Sequence, residues 1–351
     1  MRDVAVVGFT QSPSMRREPN RNEVEILIPV LHEIKQRVGL EGKDFDFVCS
    51  GSSDYLAGQA FAFVAGLDGV GAWPPVSESH VEMDGAWALY EAWVKIQTGE
   101  VESALVYAFG KTSPGDIAQV QSLQLDPYCG QPLWPDLDSI SGIQARTCLE
   151  AGVVTERQMA EVASQAQRNA QANPHAVRKG DHKVEELLAK PYRVSPLRDH
   201  DCPANSDGAT AMVVVAGDRA KQLCERPVWI RGFDHRIDPP ALGVRDLTRI
   251  PSAGLAAEKA GAGSDKLDFV EITAPYSHQE LVLRKEFRLA ADVLVNPSGG
   301  SLAAHTLMSC GLNRIGDAAT RIAAGGGDRA LAHAGQGPCL QQNLVVVLEG
   351  E

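Results

Sequence analysis

The sequence lacks an excess of basic residues, long apolar stretches and a recognisable secretion signal. Its 33 lysines and arginines are outnumbered by 45 aspartates and glutamates, so the formal net charge is −12. Wrapping nucleic acid or an anionic membrane is therefore excluded as the main task, although a local basic pocket for an anionic cofactor is not. No apolar stretch approaches the ~20 residues of a membrane span. From Val4 a strand-like run begins without a signal-peptide region, which predicts a cytoplasmic protein.

Cysteines in metal-binding or disulfide spacing are also missing. The seven cysteines are odd in number, widely scattered and never in C-x-x-C spacing. Neither a disulfide framework nor a zinc site is expected, and we predict no metal site.

The hydrophobic pattern predicts the α/β class. Short Val- and Ala-rich runs without strict alternation indicate strands that are buried on both faces. Apolar residues at helical spacing predict helices over 23–37, with Pro29 as a kink, and over 86–98, with Gly99 at the C-terminal cap. Strands alternating with helices are typical of α/β proteins. The predicted strands are 4–9, 104–109, 211–216, 228–233, 269–273, 292–295 and 344–348.

The middle of the chain differs from its ends. Between residues 112 and 195 the pattern indicates no confident strand, but one long polar helix over 156–172 and several turns. An insertion of this size is usually a lid or a binding loop. The sequence therefore predicts two α/β halves, 1–220 and 221–351, with residues 112–195 as an insertion in the first.

Five short motifs follow one another along the chain. They are SHVEMDGAWAL from Ser79, NPHA from Asn173, CPANSDGA from Cys202, VEITAPYSHQE from Val270 and NPSGGSLAAHTLMSCGL from Asn296.

In this order the five motifs resemble those of the thiolase superfamily, and in particular its sterol-carrier or lipid-transfer branch. The resemblance implies a five-layered αβαβα fold built of two similar halves, with two sheets around buried central helices. It also implies a dimer built by sheet extension and an acyl-CoA ligand, so that coenzyme A enters as part of the substrate and no cofactor is bound covalently.

Glu82 stands where the family carries its reactive cysteine. A thiolase needs a thiolate at a helix N-terminus, where the helix dipole favours the anion. A carboxylate is a poor acyl acceptor because the mixed anhydride that it would form is less stable than a thioester. Glu82 is either a base for a substrate hydroxyl or only a cap of the following helix.

Other candidate catalytic residues lie in the second half. By the resemblance, His305 matches the family's oxyanion-hole histidine, although one residue is missing before it and Ala304 and Thr306 replace the usual Gly and Pro. Tyr276 adds a phenol where the family has Phe or Cys. His278 follows Tyr276 but lies on another helical face. The alternative for each is a structural side chain with satisfied hydrogen bonds.

Glycines and one further histidine are candidates for substrate binding. Backbone N–H groups near Gly299, Gly300, Gly335 and Gly337 could approach a thioester oxygen. Cys339 lies past the last glycines, so the family's proton-shuttling cysteine is not assigned to it, and His333 is nearer that place.

Three functions are compatible with these residues to different degrees. The resemblance implies a retro-aldolase that cleaves a β-hydroxyacyl-CoA in steroid side-chain degradation, together with a partner containing an OB-fold and a zinc ribbon. The alternative is a non-catalytic thiolase-like subunit of a heteromeric acyl-CoA enzyme. In either case we expect a homodimer or heterodimer of thiolase-like chains. An acetyl-CoA acyltransferase is disfavoured by Glu82.

Overall fold

The structure, a computed structural model, describes residues 2–217 and 219–351, and these form twelve strands and twelve α-helices. The strands are β1 Val4–Gln11, β2 Phe47–Gly51, β3 Glu78–Val81, β4 Ser103–Gly110, β5 Tyr192–Val194, β6 Leu197–Arg198, β7 Gly208–Ala216, β8 Val228–Ile237, β9 Phe269–Ile272, β10 Leu294–Val295, β11 Arg329–Gln336 and β12 Gln342–Glu349. The helices are α1 Glu23–Val38, α2 Asp54–Ala57, α3 Leu67–Val70, α4 Gly85–Thr98, α5 Ile117–Leu123, α6 Leu137–Glu150, α7 Glu156–Asn169, α8 Val184–Leu188, α9 Arg219–Leu223, α10 Pro251–Lys259, α11 Ser277–Glu286 and α12 Cys310–Ala323.

The strand order repeats within the chain. In the first half the strands lie in the order β3-β2-β4-β7-β1, and in the second half in the order β10-β9-β11-β12-β8. In each set the first three strands are parallel, the fourth is antiparallel to the third, and the fifth is antiparallel to the fourth. The same topology therefore occurs twice. The boundary near residue 220 stays a prediction, which we retain as a proposal because β7 and β8 lie on either side of it.

Hydrogen bonding between β1 and β8, with Ala5 opposite Trp229 and Val6 opposite Val228, joins the two sets. The prediction of two separate sheets is therefore wrong in this detail, since one ten-stranded sheet runs through both halves. The sheet still packs in layers, because both halves cover the central helices α4 and α12 with one face. Helix α1 covers the outer face of the first half, and α10 with α11 covers that of the second. The predicted αβαβα thiolase fold is confirmed.

The central helices pack at unusually short distance. A Cβ atom on Gly85 would lie 2.6 Å from the Ala108 Cβ and 2.9 Å from the Leu312 Cδ2. A Cβ atom on Gly311 would lie 2.4 Å from the Ala334 Cβ. Because glycine has no side chain, these two positions let α4 and α12 approach each other and the sheet.

The insertion forms a helical layer over one end of the molecule. It contains α5 to α8 and leads into a two-stranded ribbon of β5 and β6. The predicted long helix over 156–172 is α7 with a short 3₁₀ turn over Ala170–Ala172. Thr155 begins α7 with a capping box that includes Gln158. Residues of α5 and α6 in this layer form part of the wall of a cavity.

Candidate active site

A cavity of about 140 Å³ lies between the insertion and the ends of strands of the second half. Its floor comes from the segments that follow β9 and β11, and its other walls come from α5, the start of α6, Arg193 and the segment around Asn205. Ligands of α/β proteins commonly bind beyond the carboxyl ends of parallel strands. The cavity is therefore a candidate active site.

Four of the predicted site residues line this cavity, namely Tyr276, His305, Gly335 and Gly337. Five others do not, and they are Glu82, His278, Gly299, Gly300 and His333. The structure thus brings together the tyrosine and the histidine from two different motifs, next to the glycine turn between β11 and β12. Their roles in catalysis stay predictions.

Tyr276 immediately precedes α11, with its side chain buried to 6% exposure. Its hydroxyl donates a hydrogen bond to the Asp138 Oδ1, 2.7 Å away. Burial, and then the negative charge of Asp138, raises the pKa of Tyr276 well above its usual value. At neutral pH the side chain is a neutral phenol whose proton is directed to Asp138.

His305 is held by its backbone between two hydrogen bonds. Its N–H donates to the carbonyl of Ala204 at 2.9 Å, and its own carbonyl accepts from the N–H of Ser206 at 3.1 Å. The Nδ1 atom is buried without a partner among the described residues. Burial, and then the positive charge of Arg314, lowers the pKa of His305 to about 4. The ring is therefore neutral at pH 7 and offers one donor and one acceptor nitrogen.

Asp138 and Arg193 are two site residues that the sequence analysis missed. Asp138 is the second residue of α6, and Asp136 caps that helix by accepting from the N–H of Ser139 at 2.7 Å. Arg193 contacts the Oδ2 of Asp138 at 2.8 Å. The Pro-Asp-Leu-Asp sequence across the start of α6 is a helix-start pattern that could have located the helix. No sequence pattern shows that it faces Tyr276.

Glu82 does not line the cavity, and its side chain is 46% exposed. Its Oε1 accepts from the N–H of Asp54 at 2.7 Å, and its Oε2 lies 3.5 Å from the His80 Nε2. Glu82 therefore holds the start of α2. The expectation that it caps the following helix is wrong, because the backbone turns between Glu82 and Asp84 and gives that place to Asp84.

Asp84 occupies the N-terminal end of both central helices. Its carboxylate is completely buried and accepts from the N–H groups of Ala86 at 2.9 Å, Gly311 at 2.8 Å and Leu312 at 3.0 Å. Burial raises the pKa of Asp84, while the three N–H groups lower it. The positive ends of α4 and α12 thus already face a carboxyl group.

No cysteine beside these groups is prepared as a thiolate. The Cys310 thiol donates to Asp84, and burial together with that negative charge raises the pKa of Cys310 well above its usual value. Cys339 lines the cavity, but burial raises its pKa to about 12. Since the thiolate is the nucleophile, neither side chain is suited to form an acyl-enzyme.

His278 and His333 are buried, and one ring nitrogen of each has a hydrogen-bond partner. The His278 Nε2 lies 3.1 Å from the Gln144 Oε1, and the His333 Nε2 lies 2.9 Å from the Asn343 Oδ1. Burial lowers the pKa of His278 to about 3 and that of His333 to about 4. Neither ring lines the cavity, although the His278 ring centroid lies 6.2 Å from that of Tyr276.

Gly299 and Gly300 form a tight turn against the insertion. Both have positive φ, of 96° and 60°. A Cβ atom on Gly299 would lie 2.7 Å from the Ala170 Cβ, and one on Gly300 would lie 2.8 Å from the Asn296 Nδ2. Atoms of Ala170 and Asn296 therefore occupy the space beside these two glycines.

Residues 2–217 and 219–351 contain neither a metal-binding cluster nor a membrane-spanning helix. Within these ranges no group of three or more His, Cys, Asp or Glu side chains could hold a metal ion. No helix there has the length and apolar character needed to cross a bilayer.

Comparison with known proteins finds acyl-CoA enzymes among the relatives and thiolase-fold proteins among the solved structures. No family model matches the chain. An acetyl-CoA acetyltransferase of Methanocaldococcus jannaschii is 24% identical over 90% of this chain and 89% of its own length. The solved Ltp2-ChsH2(DUF35) aldolase matches with a TM-score of 0.82 at 19% identity, covering 99% of this chain and 97% of that one. The acetyl-CoA acetyltransferase of Bacillus anthracis matches with a TM-score of 0.79 at 18% identity, covering 100% and 99%. The chain has the thiolase fold.

Proposed function

We propose that this protein is a thiolase-like lyase that cleaves a β-hydroxyacyl-CoA by a retro-aldol reaction. The observation that carries the proposal is the meeting of Tyr276 and His305 in one cavity that holds no thiolate. Glu82, in the place of the family's nucleophile, lies outside this cavity. A reaction without an acyl-enzyme suits these residues better than thiolysis does.

The retro-aldol step needs three kinds of group. A base takes the proton of the β-hydroxyl, a donor stabilises the thioester enolate, and an acid returns a proton to the α-carbon. Tyr276 and the neutral His305 are the candidates for proton transfer. The turn from Gly335 to Gly337 lies in the cavity wall, where its N–H groups are candidates for the thioester oxygen.

The comparisons support the lyase reaction and the acyl-CoA substrate to different degrees. The Ltp2-ChsH2(DUF35) aldolase is named as an aldolase, and its name couples it to a DUF35 protein. On the resemblance of the sequence motifs we propose a steroid side-chain acyl-CoA as substrate and an OB-fold/zinc-ribbon protein as partner. Relatives named as acetyltransferases support an acyl-CoA substrate without the lyase reaction.

A non-catalytic subunit of an acyl-CoA enzyme is the second candidate. The ties of Glu82 to Asp54 and His80 favour it, because they leave no reactive group in the family's place. Met83 and Trp87, however, pack in the central core and do not fill the cavity. An open cavity that contains Tyr276 and His305 favours the lyase.

The test is incubation of the purified protein with a β-hydroxyacyl-CoA, alone and with a candidate DUF35 partner. Release of a ketone or aldehyde is expected, and Tyr276→Phe and His305→Ala should each lower it by roughly 10²–10⁴-fold. The matched controls are Tyr128→Phe and His32→Ala, since both side chains are exposed. Unchanged cleavage in both cavity variants would show that the catalytic assignment is wrong.

A further inference from the structure

Asp138 joins the insertion to the second half of the molecule at the candidate active site. Its Oδ1 accepts the hydroxyl proton of Tyr276 at 2.7 Å, and its Oδ2 contacts Arg193 at 2.8 Å. The Asp138 side chain is 22% exposed, and both Asp138 and Tyr276 line the cavity. The Asp138 carboxylate therefore contacts both the phenol of Tyr276 and the guanidinium of Arg193 at the cavity wall.

We propose that Asp138 is the positioning residue for Tyr276 in the retro-aldol reaction and takes the proton that Tyr276 passes on. This inference rests on the proposed function and adds a specific residue from the insertion. When the hydroxyl proton of a tyrosine is donated to a carboxylate, the lone pairs of its oxygen point away from that carboxylate. On the cavity side that oxygen can accept a proton from the substrate hydroxyl.

The proton movements balance without another reactant. The β-hydroxyl proton moves to the Tyr276 oxygen while the Tyr276 proton moves to the Asp138 carboxylate. The electron pair left on the substrate oxygen forms the carbonyl, the Cα–Cβ bond breaks, and its electrons become the thioester enolate. The proton then returns from Asp138 through Tyr276 to the α-carbon. Nothing is oxidised or reduced, and the protein ends in its starting state.

Arg193 makes this return possible. It also contacts the Oδ1 of Asp199 at 3.4 Å, so it keeps a carboxylate partner while Asp138 carries the proton. Before the reaction, Arg193 lies 2.8 Å from the Oδ2 of Asp138 and is its cationic partner. The Cys202 thiol also lies near Tyr276, Asp138 and Arg193. Burial raises the pKa of this thiol, so it contributes no charge at pH 7.

The first test compares Asp138→Asn with the wild type in the lyase assay. Because Asn has nearly the same shape but cannot take the proton, kcat should fall by roughly 10²–10⁴-fold while KM changes little. The double variant with Tyr276→Phe should be no slower than the slower single variant, since the two residues act as a unit. Asp181→Asn is the matched control, because Asp181 also pairs with an arginine of the insertion, Arg168, but lies outside the cavity.

A second variant distinguishes a proton acceptor from a structural side chain. Asp138→Ala opens room for a small carboxylate, and added formate should restore part of kcat where chloride at the same ionic strength does not. If wild-type protein cleaves substrate and Asp138→Asn keeps its kcat within about threefold, or if the losses in the double variant multiply, this inference is wrong while the lyase stands. If wild-type protein cleaves nothing, the proposed function fails and this inference with it.

Discussion

The carboxylate of Asp84 accepts a hydrogen bond from the N–H of Gly311 at 2.8 Å, which ties the central helix of the first half to that of the second. The same carboxylate caps α4 through Ala86. One buried acidic side chain therefore serves the N-termini of two helices, two residues after Glu82. This arrangement has a direct consequence for stability.

Replacing Asp84 with alanine should destabilise the protein by about 3 kcal/mol, because three buried N–H groups lose their acceptor. Urea unfolding followed by circular dichroism measures the change. The exposed Glu102→Gln is the control, and it should cost less than ~1 kcal/mol because it removes only a surface ion pair with Arg2. Equal stability of the two variants would mean that Asp84 does not join the helices.

Changing Glu82 tests whether the family's nucleophile position still works. We expect Glu82→Gln to keep lyase activity within about twofold and to lose less than ~1 kcal/mol, since the side chain is half exposed. Glu82→Cys should not create a thiolase, because Asp84 already holds the N-terminal ends of α4 and α12. Thiolysis of acetoacetyl-CoA is the assay, and activity in the cysteine variant would contradict this account of the site.

Gly110 supports the segment that carries His305. A Cβ atom on Gly110 would lie 1.9 Å from the carbonyl oxygen of Leu307. Gly110→Ala should therefore displace the 305–309 segment, lower kcat by at least about tenfold and cost roughly 1–3 kcal/mol of stability. Gly115→Ala is the matched control, because no atom lies within 4 Å of its Cβ position. Normal kcat in Gly110→Ala would separate His305 from catalysis.

Buried histidines should make the protein acid-sensitive. Burial lowers the pKa of His278 to about 3 and those of His305 and His333 to about 4, against 6.5 when exposed. Below pH 6.5 the unfolded chain binds protons that the folded chain does not, so stability falls as the pH falls from 6.5 towards 4. Each histidine contributes about 1.4 kcal/mol per pH unit in that window.

The free energy of unfolding, measured by urea titration between pH 4.5 and 7.5, checks this dependence. In His333→Gln the slope should be smaller by about one proton, because glutamine can still bond Asn343 but does not titrate. An unchanged slope in this variant would show that His333 is charged in the folded protein or already accessible to water.

Most of the fold could be predicted because local patterns agree with the packing. Helix α1 begins with the Asn22 and Glu25 capping box and continues through Pro29, and Gly99 ends α4 as expected. The predicted strands do not include β2, β3, β5, β6 or β11, and for β3 and β11 the sequence shows the physical reason. The first reads ESHV and is polar, while the second is rich in alanine and has little intrinsic strand preference. Pairing with the neighbouring strands therefore determines the strand conformation of both segments.

The site could be predicted only where a motif carries it. Tyr276 and His305 belong to motifs at strand ends, so their meeting follows from the fold. Asp138 was missed because its partner Tyr276 lies on a distant segment, and only the packing of the insertion brings them together. The place of Glu82 was predicted, but its orientation depends on the turn that directs Asp84 inwards and Glu82 towards α2.

The most direct test of the central claim is the product stoichiometry when purified protein and its DUF35-type partner are given a β-hydroxyacyl-CoA without free coenzyme A. A retro-aldolase releases one ketone or aldehyde and one shortened acyl-CoA for each substrate consumed, and Tyr276→Phe stops both together. Substrate consumption that requires free coenzyme A would contradict the account. So would the absence of cleavage by both the wild type and Tyr276→Phe.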